Sequence, residues 1–205
     1  FLTINIQACF CFPVAEISSY ESIVNTLATG LERLYESFPW LSGEVINEGS
    51  GQGGSGNFKF KLLETVPRLV VKDRRHDPAV PPMNALRDSK FPMRLLDENA
   101  LAPRKVFEKN KSQTALVFLI QANLVTGGLL LTFLAQHNTM DTTGFAQVIR
   151  LFSKACSKER FTSDELLCNN LRRRHIVPLL LDCFQPGDEF SRYIVSAAPP
   201  SEPRT

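Results

Sequence analysis

Two strongly apolar segments, residues 115–121 and 129–136, stand on either side of the turn signal Thr126-Gly127-Gly128. Short apolar runs bounded by turn residues read as strands buried on both faces, and the glycine turn between them predicts a hairpin at the centre of a sheet. Immediately after the second run come His137 and, four residues later, Asp141, and then an apolar pattern of a different period. Phe145, Val148, Ile149, Phe152 and Cys156 fall on one helical face, with Thr142 or Thr143 as the expected N-cap. The local plan is strand, turn, helix, with two ionisable groups at the seam.

The rest of the chain supplies partners for this centre. Ile4, Ile6, Ala8, Phe10 and Phe12 alternate with Asn5, Gln7, Cys9 and Cys11, the period of a half-buried strand stopped by Pro13. Ser18 and Glu21 form a capping box ahead of Ile23, Leu27, Leu31, Leu34 and Phe38, which predicts a long helix ending before Pro39. Residues 44–47 and 58–62 read as a hairpin at the sheet margin, and residues 69–71 as another short strand. Residues 73–111, rich in Pro, Arg and Asp, carry only a short helical pattern over 83–86 and read as a long surface excursion. A shorter helix is expected from Thr162 to Arg174, and no internal repeat is visible. The fold class is mixed α and β.

Composition narrows the function. With 43% hydrophobic and 21% charged residues among 205, the chain has the balance of a protein with a sizeable core. Its formal charge of +2 is spread along the whole length, so neither nucleic acid nor an anionic membrane is the expected partner. Gly127, Gly128 and Thr132 interrupt the most apolar stretch, so no membrane span is expected. Five cysteines without a CxxC pair favour reduced thiols and a cytoplasmic setting. The opening at Phe1 and the ending AAPPSEPRT suggest a piece of a longer protein, closing in a linker.

Three motifs compete for attention with His137. Gly51-x-Gly53-x-x-Gly56 spells a dinucleotide fingerprint, but the strand-like NFKFKLL follows where a helix is required, which removes the N–H groups and dipole that hold a pyrophosphate. The run Arg172-Arg173-Arg174-His175 suits a solvated helix C-terminus, and the charges from Lys72 to Asp77, including His76, suit mutual surface pairing. His137 differs because it ends a buried strand at a sheet edge, where clefts are commonly built. Imidazole, with an ordinary pKa of about 6.5, accepts a proton from a hydroxyl at neutral pH, an effect of roughly 10² to 10⁴ in rate. Asp141 has three readings: it orients the imidazole, pairs with an arginine, or helps another residue cap the helix. A structural role is favoured. The pair lacks the further ligands that zinc requires, so no metal is expected. Spacing alone leaves a satisfied strand-end histidine beside a capping acid as an equal alternative.

HNTMDTTGFAQVIRLFSKAC, preceded by the buried strand and earlier by FPWLSGEVINEGSG, resembles the BAHD-type acyltransferases, closest to their trichothecene 3-O-acetyltransferase branch. The resemblance runs from CFCFPVAEISSY to the region of Arg174. It implies a chloramphenicol acetyltransferase-like fold, a mixed β-sheet flanked by helices, of which this chain is one of two similar domains. Residues 1–190 would be the N-terminal domain, residues 191–205 the start of the linker, and the C-terminal domain is absent, as is the second motif DFGWG. The resemblance further implies His137 as general base toward a small-molecule alcohol, and acyl-CoA as cosubstrate with no permanently bound cofactor. It implies Asp141 as a structural residue paired with an arginine. Gly144 stands three positions after Asp141 where the family commonly has glycine directly after the aspartate. A carrier-protein-dependent condensation-type domain is a rival, although Gln136 stands where such domains often carry a second histidine. A truncated, non-catalytic binding relative is another. The resemblance implies an active-site tunnel between the two domains, and its missing half, from the same chain or a second one, makes the isolated fragment an expected inactive one.

Overall fold

The computed structural model describes residues 4–16, 19–51, 54–107 and 115–169, which fall within one compact unit, Phe1–Asn169. The capping box at Ser18, the basic run at Arg172, Cys183, the C-terminal part of the helix expected to reach Arg174 and the linker boundary at 190 lie outside the described residues.

Four strands form the main sheet: β1 (Asn5–Pro13), β4 (Val70–Asp73), β5 (Phe118–Val125) and β6 (Gly128–Gln136), in the order β1-β6-β5-β4. β4 runs parallel to β5, and the other pairs are antiparallel. The central hairpin is as expected. Every residue of β5 and β6 is buried, and Thr126 and Gly127 make the two-residue turn. Gly127 takes φ 76°, a left-handed conformation that favours glycine in tight hairpin turns. β5, however, starts at Phe118 and continues past the expected end at Gln121. It does so by burying two amides in bonded form: Asn123 Nδ2 donates to Leu101 O at 2.8 Å, and Gln121 Nε2 donates to Asn123 Oδ1 at 2.8 Å.

Those bonds reach the layer read from sequence as a surface excursion. The segment is instead a cover for the second face of the sheet. α2 (Met83–Asp88), a 3₁₀ turn (Met93–Leu95) and α3 (Glu98–Leu101) lie there, and Val80, Met83, Leu86 and Leu101 pack with Val125 and Leu130 in a core of their own. The face beneath offers this layer both apolar and polar partners: Val125 and Leu130 pack with its side chains, and the Gln121 and Asn123 amides donate to its carbonyls at Ala100 and Leu101.

The first face carries α1 (Ser19–Ser37) and α4 (Thr142–Cys156), which bury Leu27, Leu31 and Leu34 on one side and Phe145, Val148, Leu151 and Phe152 on the other. Both helices lie over the middle of the sheet. β1, the terminal strand, is covered only in part: Phe10 and Phe12, on its apolar face, are 42% and 45% exposed. They line a groove of about 550 Å³ with Ile23 and Leu27 of α1 and Ile149 and Phe152 of α4.

β2 (Glu44–Gly51) and β3 (Gly54–Lys61) form a separate antiparallel hairpin. It joins the rest through Val45 N–H donating to Ala115 O and Val117 N–H donating to Gly43 O. Gly51 ends β2 and Gly56 lies within β3, so a strand runs through the place where a dinucleotide site would need a helix. The short helix α5 (Ser163–Leu167) ends before the expected Arg174, but its start follows the rules: Thr162 accepts from Glu165 N, and Glu165 Oε2 accepts from Thr162 N.

Glu165 also accepts from Lys154 Nζ at 2.8 Å and from Arg150 Nη2 at 2.8 Å, tying α5 to α4. The Lys154 ammonium, then the Thr162 amide, hold its carboxyl down at about 2. A depressed folded-state pKa contributes stability above the ordinary carboxylate range and loses it as pH falls through the folded value. Wild type is therefore expected to unfold at higher denaturant than Glu165→Gln at pH 7, with the two midpoints converging as pH approaches 2 in parallel titrations; a constant gap would contradict the linkage.

Candidate active site

β6 ends at Gln136, and its backbone is fastened on both flanks at that point. Gln136 N–H donates to Val117 O at 3.0 Å, and His137 N–H donates to Ile4 O at 2.9 Å. The chain then turns within three residues. Thr139 closes the turn twice, its N–H and its Oγ1 both donating to Gln136 O, at 3.0 and 2.7 Å. Gln136, Thr139 and Met140 are buried, whereas His137 and Asn138 face solvent. An exposed imidazole thus stands on backbone that is hydrogen-bonded on both flanks.

Asp141 begins the next element. Its Oδ1 accepts from Gly144 N–H at 2.8 Å, and its carbonyl accepts from Phe145 N–H at 2.9 Å, so Asp141 itself is the N-cap of α4. This replaces the expected cap at Thr142 or Thr143. Aspartate outranks threonine at this position, and its negative charge meets the positive end of the helix dipole. Among the described residues no salt bridge involves Asp141, so the arginine partner implied by resemblance is not among them. Gly144 also has a local reason to lack a side chain, since a Cβ there would sit 3.1 Å from Met140 Cβ.

The cap makes the carboxylate's worth testable. Asp141→Ala should cost about 1 kcal/mol of stability by loss of the capping bond, whereas Asp141→Asn, an equally good capping residue, should cost only a few tenths through the weaker dipole interaction. Urea midpoints of the two variants check this, and equal losses would point to a lost ion pair instead.

A third strand of contacts reaches the same place from far along the chain. Ile4 forms an antiparallel bridge with Phe107. Residues 104–107 are held there by β1: Asn5 N–H donates to Val106 O, Asn5 Nδ2 to Lys105 O and Gln7 Nε2 to Arg104 O. Nothing in the local sequence pattern signals this neighbourhood, because the pairing joins residues about a hundred positions apart and only one strand-like residue per side is visible.

The charged cluster around His76 lies at the end of β4, beside Leu124 of β5 and away from the seam. Arg74 pairs with Asp77 at 2.8 Å and Arg75 with Asp73 at 2.6 Å, so the basic run around His76 is largely satisfied by its own acids, and Arg75 lies over the Tyr20 ring. Among the described residues no group of three or more His, Cys, Asp or Glu gathers in metal-binding geometry. No helix of the described residues is long and apolar enough to cross a membrane.

Comparison with known proteins supplies the family. Residues 4–156 match the trichothecene 3-O-acetyltransferase-like N-terminal domain. The O-acetyltransferase dmxR13 of Cryptosporiopsis sp. is 52% identical over 196 residues, covering 95% of this chain and 43% of that protein. The trichothecene 3-O-acetyltransferase TRI101 of Fusarium sporotrichioides is 42% identical over 202 residues, covering 97% of this chain and 44% of its own length. The crystal structure of F. graminearum TRI101 complexed with coenzyme A and T-2 mycotoxin superimposes with a TM-score of 0.88 at 40% identity, over 96% of this chain and 45% of that one. The chain therefore spans less than half the length of the relatives it matches. The mixed sheet with its helices is the chloramphenicol acetyltransferase-like fold of those enzymes. By sequence and by fold, the chain belongs to the trichothecene 3-O-acetyltransferase-like family and carries its N-terminal domain.

Proposed function

We propose that these residues are the base-bearing half of an acyl-CoA-dependent O-acetyltransferase that acetylates a hydroxyl of a secondary metabolite, such as a trichothecene. The observation that carries the reading is the placement of His137, an exposed imidazole at the anchored end of β6, in a chain of this family. Residues 1–190 are read as the N-terminal domain, residues 191–205 as the start of a linker, and the remaining half as supplied by the same protein or by a second chain. Four described cysteines, Cys9, Cys11, Cys156 and Cys168, are free thiols, which supports a reducing, cytoplasmic setting.

In the reaction, His137 accepts the proton of the acceptor hydroxyl as its oxygen attacks the thioester carbonyl of acetyl-CoA. A new C–O bond forms and the carbonyl becomes a tetrahedral oxyanion. Collapse breaks the C–S bond, and the departing thiolate takes the proton from the imidazolium, giving ester and free CoA with the base restored. No acyl-enzyme is needed. Asp141 takes no part in proton transfer; it fixes the start of α4 four residues beyond the base. Oxyanion stabilisation requires donors facing His137 across a closed cleft.

The test uses the full-length protein with acetyl-CoA and a panel of trichothecene alcohols, measuring ester by mass and free CoA by thiol titration. Equal amounts of both are expected, and CoA release without ester, or no reaction with any hydroxyl, would overturn the assignment.

A further inference from the structure

The bridge between Ile4 and Phe107 places three residues in one row. Ile4 is opposite Phe107, and β1 pairs Asn5 with Gln136, so the register continued by one step sets Ile4 opposite His137, consistent with the His137 N–H to Ile4 O bond. Directly opposed residues of antiparallel pairs project their side chains from the same face. Phe107, Ile4 and His137 therefore share a face, with Phe107 two strand spacings, roughly 10 Å, from the histidine. Phe107 is 69% exposed, whereas Ile4 between them is half-buried.

A large exposed aromatic is costly to leave in water and is held here with some care. The strap that carries it is fastened by three bonds from Asn5 and Gln7 and by Val106 N–H donating to Glu98 Oε2 at 3.0 Å. Asn5 is itself buried, at 5% exposure, and spends both its backbone and its side-chain donor on this segment. The backbone that carries the phenyl ring is thus fastened to β1 two strand spacings from the backbone of His137.

We propose that Phe107 is a specificity-determining residue: with Ile4 it forms an apolar wall against which the hydrocarbon body of the acceptor alcohol packs while its hydroxyl meets His137. The proposal rests on the reading of His137 as the acceptor's base. A ring system of about 10 Å spans the row, and a small alcohol bound at His137 does not reach the ring. The wall therefore selects for extended, apolar acceptors and makes no contact with short ones.

Binding is measured in the full-length protein carrying His137→Ala, so that no turnover competes and the result does not depend on the base assignment. Deoxynivalenol and cyclohexanol serve as a large and a small probe. Phe107→Ala is expected to weaken deoxynivalenol about tenfold to a hundredfold, the size expected for burial of one aromatic ring, and to change the ratio of the two affinities by the same factor. Phe107→Leu should recover most of the loss, and the melting temperature of each variant should match its parent. An unchanged ratio, a parallel loss for both probes, or no binding of deoxynivalenol to the parent would overturn the wall. Retained turnover in His137→Ala alongside a lost ratio in Phe107→Ala would instead sink the base and leave the wall standing.

Discussion

Full-length protein carrying His137→Ala is expected to turn over acetyl-CoA and its acceptor alcohol about 10² to 10⁴ times more slowly than wild type, with little change in KM for either substrate. The magnitude is that of a general base positioned for one proton transfer. The split between kcat and KM follows because the imidazole bonds the acceptor proton most strongly as the C–O bond forms, so its loss is felt in the transition state. The side chain is exposed and its flanking anchors are main-chain bonds from Gln136, His137 and Thr139, which alanine leaves in place. Melting temperature should therefore be unchanged, and the variant should remain a folded binder of both substrates. Turnover within a few-fold of wild type would remove His137 from the chemistry.

The largest stability loss is expected from Phe133→Ala. Phe133 lies in the middle of β6 at 2% exposure and meets three other rings: Phe10 edge-on at 5.6 Å, Phe152 edge-on at 5.5 Å and Phe118 at 6.2 Å. These rings come from β1, α4 and β5, so one side chain ties the three elements around the strand that leads to His137. Deleting a buried phenylalanine costs about 3–5 kcal/mol, the transfer term plus the cavity it leaves. That is a large share of the 5–15 kcal/mol that typically stabilises a domain. Urea denaturation reads the loss directly, and Phe133→Leu, which refills most of the volume, should lose markedly less. A cost below about 1 kcal/mol for the alanine variant would mean that the rings rearrange and that the cluster does not organise β6.

Phe133 and His137 could both be placed from sequence, since an apolar run bounded by a glycine turn and a helix-period pattern fixes a strand end and the face of the following helix. The role of Asp141 could be placed only as structural, because an acid before two threonines leaves three candidate caps and the backbone angles decide among them. The second layer over the sheet was invisible for a different reason. Val80, Met83 and Leu86 are evenly spaced, but prolines interrupt them and Leu101 follows only after Pro92 and a second turn, so no single period reveals that the four share a cover. Gln121 and Asn123 look like the end of a strand, yet their amides are paired with each other and with Leu101, a pairing that only the folded layer supplies. Phe10 and Phe12 err in the other direction: alternation marks an apolar face correctly, but cannot say that the helices stop short of the terminal strand.

The strap of residues 104–107 is held through its carbonyls and the Val106 amide, by donors and acceptors that belong to Asn5, Gln7 and Glu98. None of these bonds uses a side chain of the strap itself. Exchange of residue 107 for another leaves every one of them intact, so the wall can diverge while its mount does not. On the role proposed for Phe107, acceptor preference can be changed at this one position without touching the bonds that fasten the strap to β1.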